Sequence, residues 1–327
     1  MLLGSEELTV RQPGVFDRIA NRVVFHDSYA KRRLIPQLSV EQRDVIDRLR
    51  NDGSVILENY LPAAPLSRLQ ADFEAGLREM KFDMPCLAQA RVDPVRHAAL
   101  IDNFMYGSTQ EFKALGVTFG REEARDYEQV VREFNPSTLT VKTLEYSRAF
   151  REAWLDPFLL GIVSGCMGIV PKLSEAYVRR NFPAPHRTMN HFWHRDLNTP
   201  INLLKIFFFL TDCGLDTGPH EFINGSHRRL DVLNGRRYFT DEEVDQAYPP
   251  GDPRRVVSEV KAGTVVIEDT RGLHRARLPQ TGFRDLGYAV FMPLRPFYPH
   301  HNYTFPRAAH EQLSAFQKVF VPDVMLV

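Results

Sequence analysis

His194 and Asp196 stand two residues apart in the segment Trp193-His194-Arg195-Asp196. On an extended chain, residues i and i+2 point to the same side, so an imidazole and a carboxylate there can reach one cation together. His-x-Asp is a weak signal by itself, because a structural hydrogen bond between the two accounts for it as well. A third ligand has to come from elsewhere in the chain. His274 is the best placed: a Gly turn, a buried strand and a short loop over Gly263–His274 deliver it. Two His and one carboxylate on one face, with open positions opposite, suit a non-haem Fe(II) that must bind O2. Ten residues after His274, Arg284 stands at the entry to the last strand. An Arg there can hold a dicarboxylate through a bidentate ion pair.

Composition narrows the background. The chain has 327 residues, 43% hydrophobic and 25% charged, with 41 Lys and Arg against 41 Asp and Glu. A net charge of zero argues against a generally basic nucleic-acid binder. The 3 cysteines, Cys86, Cys166 and Cys213, are too few and too far apart for a disulfide framework or a zinc cluster. The first residues carry neither a charged leader nor a long apolar stretch, and the longest apolar run, Ile206 to Leu210, is far too short to span a bilayer. The expectation is a cytoplasmic protein that acts on a small molecule, without a nucleic-acid or membrane partner.

The elements that position these residues fall into two textures. Ser39-Val40-Glu41-Gln42 reads as a capping box opening a helix that Gly53 stops, and Ser54 to Leu57 then reads as a buried strand. A second helix starts near Pro65, another is expected over Arg121 to Phe134, and Asp156-Pro157 opens a further one. After Pro171 the chain turns to short β-branched and aromatic runs: Ala176 to Asn181, Leu203 to Leu210, Arg254 to Val260, Thr264 to Glu268 and Gly287 to Met292. Such strands with irregular loops predict a sandwich or barrel. Leu313, Phe316 and Phe320 predict a covering helix over Pro306 to Phe320. The reading is one compound domain over 1–327. Residues 1–170 form a mostly helical support, 171–295 the barrel, and 296–327 a covering segment.

The order of motifs resembles the phytanoyl-CoA dioxygenase family of Fe(II)/2-oxoglutarate oxygenases. Asn51-Asp52-Gly53-Ser54-Val55-Ile56-Leu57-Glu58-Asn59-Tyr60-Leu61 is similar to its amino-terminal opening, and Trp193-His194-Arg195-Asp196 to its His-x-Asp motif. Thr211-Asp212, followed by Gly218-Pro219 and Gly225-Ser226-His227-Arg228, is similar to its GSHR turn. The Gly263–His274 stretch resembles the one that carries its distal His, and Arg284 falls where its 2-oxoglutarate Arg is expected. The similarity spans residues 39 to 293. It implies a mainly β fold with flanking helices, a double-stranded β-helix of the jelly-roll, cupin-like kind. It implies Fe(II) on His194, Asp196 and His274, 2-oxoglutarate as cosubstrate with its far carboxylate on Arg284, and O2 as oxidant. Succinate, CO2 and an oxidised C–H are the implied products. Lys142 and Tyr177 lie where the family has further 2-oxoglutarate contacts. Ala276 and Leu286 stand where some members have Ser or Thr, leaving Thr281 or Tyr288 as the second donor to the far carboxylate. The retained Asp196 points away from halogenation and towards hydroxylation or a related oxidation.

The substrate is the least legible part. Residues 179–195 hold Arg179, Arg180, Arg187 and Arg195 without an acid, and 271–284 hold Arg271, Arg275, Arg277 and Arg284. Around metal ligands in a neutral chain, this predicts an anionic substrate from specialised metabolism, with an acyl-CoA as the alternative. A cupin-type barrel that does not use 2-oxoglutarate would not need Arg284. A silent binding module on the same fold would not need all three ligands. His227, His191 and His220 are assigned structural or supporting places.

Overall fold

The computed structural model describes residues 14–79, 81–82, 125–126, 138–183, 187, 189–196, 203–230, 232–233, 238–293 and 303–327. Helices α1 (Val15–Val24), α2 (His26–Ala30) and α3 (Val40–Asp52) come first. Ser39 caps α3 through a reciprocal capping box with Gln42, and Gly53 ends it at φ 86°, a left-handed conformation that favours glycine. The chain enters β1 (Ser54–Leu57) directly from that cap. Next come α4 (Ala63–Glu79), the two-residue strands β2 (Lys81–Phe82) and β3 (Arg125–Asp126), β4 (Thr138–Val141), α5 (Arg148–Trp154) and α6 (Pro157–Met167). Asp156 caps α6 and Pro157 occupies its first turn, as the sequence predicts.

From β5 (Lys172–Asn181) onwards the chain crosses between two antiparallel sheets. The order is β6 (Trp193–His194), β7 (Leu204–Phe209), β8 (His220–Ile223), β9 (Tyr238–Phe239), α7 (Asp241–Ala247), β10 (Arg255–Val257), β11 (Val265–Glu268), β12 (His274–Ala276) and β13 (Arg284–Met292). The major sheet has the order β1-β11-β7-β13-β5-β4 and the minor sheet β10-β8-β12-β6-β9. Strands β5, β7, β11 and β13 lie in one sheet and β6, β8, β10 and β12 in the other. This interleaving makes a double-stranded β-helix, and it places both sheets' inner faces against one shared interior.

Strict alternation sorts the side chains of the major sheet. Val178, Ile206, Phe208, Ile267 and Ala289 face outwards and join the core formed with α3, α5 and α6. Trp154 of α5 lies flat on Phe208, with ring centroids 4.6 Å apart and an interplanar angle of 7°. Phe207, Phe209, Val266 and Leu286 face inwards and form a separate cluster. On the minor sheet, Trp193, Ile223 and Phe239 turn outwards onto Val244 of α7.

Several expectations need correction. Of the helix expected over Arg121 to Phe134, only Arg125–Asp126 is described, and that pair is a strand bonded to Lys81–Phe82. The tail carries two helices, α8 (Arg307–Glu311) and α9 (Ala315–Phe320), because Ser314 and Gln317 form a new capping box that restarts the chain. Two strands from the first half also join the major sheet, β1 at one edge and β4 at the other. The sequence analysis anticipates only β1.

Candidate metal centre

His194 and His274 are cross-strand partners on β6 and β12. Their ring centroids are 4.2 Å apart. The Nδ1 of His194 donates to the Phe192 carbonyl at 2.8 Å and the Nδ1 of His274 to the Gly272 carbonyl at 3.0 Å. A carbonyl only accepts, so both rings carry their proton on Nδ1 and keep an Nε2 lone pair for a ligand. Both Nε2 atoms face Asp196: His194 lies 3.8 Å from Oδ1 and His274 3.3 Å from Oδ2. The three residues offer ligand atoms within 4.8 Å of one another, as a shared metal ion requires. Burial, with His274 beside it, holds the His194 pKa well below the ordinary imidazole value. Burial opposes ionisation of Asp196, but Lys205 and His274 outweigh it and hold the carboxyl well below the usual range. Two imidazoles with Nε2 turned inwards and one carboxylate make a donor set that fits Fe(II).

Arg284 stands at the start of β13, paired with Asn181 across the strands. Its side chain is 1% exposed. Nη1 donates to the Gly218 carbonyl and Nη2 to Asn181 Oδ1 at 3.1 Å, while Nε has no hydrogen-bond partner among the described residues. Gly218 has φ 79°, and a Cβ there would meet the Arg277 carbonyl at 2.5 Å, so glycine lets this turn close under the guanidinium. Burial is the main disfavouring influence on the Arg284 charge, and Arg179 nearby adds to it. Among the described residues no carboxylate ion-pairs with Arg284, so an anionic group in the interior would relieve it. That fits the far carboxylate of a dicarboxylic acid.

Between Arg284 and the triad lie an aromatic layer and a buried pair. Tyr177 stacks on Tyr288 at 4.5 Å, Phe207 packs on His220 at 4.9 Å, and His220 packs on His274 at 5.5 Å. His220 Nδ1 donates to Glu268 Oε1 at 3.0 Å. Of the two places expected for His220, beside the metal ligands or in a loop, it takes the first, inside the barrel against His274. Lys205 was missed altogether. It reaches Asp196 from β7 and lies 5.0 Å from the centre of the Tyr288 ring. Its signal was present: a lysine at an inward position of an otherwise apolar strand, Leu204–Phe209.

Tyr177 is inside the barrel and accepts from Arg179 Nη2 at 2.6 Å. Lys142 comes directly after β4, at the edge of the major sheet, and is half-buried. Thr281 is exposed in a loop whose backbone binds the Asp216 carbonyl, so it is not the second donor to a buried carboxylate. His227 is structural: Nε2 donates to the Arg50 carbonyl at 3.2 Å, and its ring abuts Gly53. The two acid-free arginine stretches are not acid-free in space. Arg187 pairs with Asp241, Arg271 with Asp269, Arg275 with Glu221 and Asp241, and Arg277 with Glu221. Arg195 is spent on the carbonyls of Ser226, Arg271, Arg229 and Val232, which tie the GSHR turn to the ligand strand. Arg187 and Arg275 are therefore not the readers of a substrate anion, because Asp241 of α7 and Glu221 of β8 already pair with them.

Residues 49–284 match the family described as phytanoyl-CoA dioxygenase (PhyH). The chain belongs to this family. The dependence of the phytanoyl-CoA dioxygenase family on Fe(II), 2-oxoglutarate and O2 comes with that membership, and the His194–Asp196–His274 triad is in place to hold the metal. Curated protein sequences provide no significant match. Among solved structures, the chain is similar to the α-ketoglutarate-dependent carbocyclase SnoK from nogalamycin biosynthesis, at 20% identity over 78% of this chain and 84% of that one, with a TM-score of 0.48. It is similar to the epimerase SnoN in complex with Fe3+, α-ketoglutarate and nogalamycin RO, at 18% identity, 77% and 83% coverage and a TM-score of 0.48. It is also similar to HygX from Streptomyces hygroscopicus with nickel, 2-oxoglutarate and hygromycin B bound, at 14% identity, 80% and 90% coverage and a TM-score of 0.47. Among the described residues no helix is long and apolar enough to cross a membrane.

Proposed function

We propose that this member of the phytanoyl-CoA dioxygenase family oxidises an unactivated C–H of a small, anionic metabolite, with hydroxylation as the net result. The observation that carries the reading is the pairing of a His–Asp–His donor set with a buried guanidinium that no described carboxylate neutralises. His194, Asp196 and His274 would hold Fe(II), and Arg284 would hold the far carboxylate of 2-oxoglutarate. Tyr177 and Lys142 are proposed as further contacts to the cosubstrate. When bound, iron and 2-oxoglutarate supply the oxidising power: the oxo acid and O2 are consumed to give succinate, CO2 and one oxygen atom for the substrate.

The chain's own residues bind, orient and exclude water. The Nδ1 hydrogen bonds to Phe192 and Gly272 aim both imidazoles. Phe207, Leu286 and Phe209 line the interior with apolar surface, which strengthens the electrostatic hold on a carboxylate there. Arg179 is the proposed reader of the substrate anion. It lies inside the barrel over the rings of Tyr177 and Tyr288, at 4.9 and 5.5 Å.

The test is an anaerobic incubation of the purified protein with Fe(II), 2-oxoglutarate and a panel of carboxylated and phosphorylated metabolites, then opened to air. Mass spectrometry should find one substrate gaining a single oxygen atom, with succinate formed in equal amount. O2 uptake independent of 2-oxoglutarate would count against the reading, and acceptance of acyl-CoA thioesters alone would replace the small metabolite.

A further inference from the structure

Lys205 is the one charged residue of β7, and it is 8% exposed. A buried ammonium group requires partners, and both partners here are specific. Its Nζ pairs with Asp196 Oδ2, and it hydrogen-bonds the Tyr288 side chain across the strand pair. Strand β7 lies in the middle of the major sheet, between β11 and β13. The ammonium is thus presented from a rigid element directly at the only carboxylate of the triad.

We propose that Lys205 is a positioning residue of the metal centre: by taking one oxygen of Asp196, it limits that carboxylate to single-oxygen ligation of the ion. The inference rests on the function proposed above. Its physical basis is the count of positions around an octahedral ion. Two imidazoles, one carboxylate oxygen, two oxygens of 2-oxoglutarate and O2 fill them. A carboxylate can also bind through both oxygens, and a second oxygen from Asp196 would occupy a position that cosubstrate or O2 needs. The Lys205 ammonium paired with that oxygen opposes rotation of the carboxyl group and competes with the ion for its charge. The two histidines cannot do this, because each is itself a ligand candidate.

Lys205→Met keeps an unbranched side chain, one atom shorter, and removes the charge. With Mn(II) as probe, metal affinity should equal or exceed that of the unaltered protein, since Asp196 loses a competing cation. Water-proton relaxation of the Mn(II)-loaded protein should report one exchangeable water fewer. Anaerobic titration of the Fe(II)-loaded protein with 2-oxoglutarate, read by its charge-transfer absorption, should show affinity weakened by about tenfold or more. Lys205→Gln, which keeps a donor, should fall between the two, and thermal unfolding of both variants controls for folding. An unchanged number of bound waters overturns the inference, even with weaker 2-oxoglutarate binding, because Lys205 would then touch the cosubstrate directly. Parallel loss of metal affinity and of thermal stability in both variants also overturns it, in favour of a packing role. If the unaltered protein binds neither Mn(II) nor 2-oxoglutarate, the proposed function fails instead.

Discussion

Arg179 and Arg180 are neighbours in the chain and lie on opposite faces of β5. Arg179 turns into the barrel and donates to Tyr177 Oη, whereas Arg180 turns outwards onto Asp285 and Glu74. Their substitutions should therefore have different effects. Arg179→Ala should weaken binding of an anionic substrate and lower thermal stability less than Arg180→Ala does. Arg180→Ala breaks a largely buried ion pair and should cost about 2–4 kcal/mol of stability without altering substrate affinity. Substrate KM and denaturant unfolding on both variants would check this, and equal effects on both measures would refute the division of faces.

Asp196→Ala removes the only anionic member of the triad. Mn(II) or Fe(II) binding should fall by orders of magnitude and product formation should stop. Equilibrium dialysis with metal analysis measures the first and succinate release the second. Retained stoichiometric metal would place the ion elsewhere.

Arg284→Ala should raise the apparent KM for 2-oxoglutarate. Loss of a buried, charge-assisted contact costs roughly 2–5 kcal/mol, or about 30- to several-thousand-fold in affinity. Metal binding should be unaffected, because Arg284 is not a ligand. An unchanged cosubstrate KM would show that another residue holds the far carboxylate.

Glu221 on β8 faces outwards and pairs with both Arg275 and Arg277. Burial pushes its carboxyl up, but the hydrogen bonds and charges of these arginines prevail and hold it below the usual value. A carboxyl depressed in the folded state adds stability above its unfolded pKa, about 4.3. That contribution is lost as pH falls through the folded value. Glu221→Gln should thus cost on the order of 2 kcal/mol at neutral pH. The figure lies below that for a fully buried pair, because Arg277 is 38% exposed and Arg275 keeps Asp241. The gap to the unaltered protein should close as pH falls below about 4. A gap independent of pH would mean the substitution acts through shape and not charge.

The local grammar of the fold was legible without coordinates. The capping box at Ser39–Gln42, the Gly53 stop and the Asp156–Pro157 start each act over a single helical turn, so neighbouring residue types suffice to define them. β-Branched and aromatic runs between Gly and Pro punctuation likewise marked β5, β7, β10, β11 and β13, whereas the short strands β6, β8, β9 and β12 carry too few residues to stand out. The triad was legible for a related reason: His194 and Asp196 share a side because extended backbone alternates, and ordered motifs marked His274 and Arg284.

Charge was the property that local sequence misrepresented. Residues 179–195 and 271–284 contain no acid, yet Asp241, Glu221, Asp269 and Asp285 reach most of their arginines from helix α7, other strands or an adjacent turn. Coulomb interactions depend on distance in space, and antiparallel pairing makes neighbours of residues far apart in the chain. Lys205 and His220 were hidden for the same reason. Each is one residue in a short strand; the apolar company of Lys205 signals a buried lysine, but which acid each one faces, Asp196 or Glu268, is set only by the fold. The sequence by itself singled out the His194, Asp196 and His274 that the fold gathers into one cluster. The tertiary structure decided which charges are already neutralised and which remain turned towards the interior, because only the closing of two sheets on each other sets those distances.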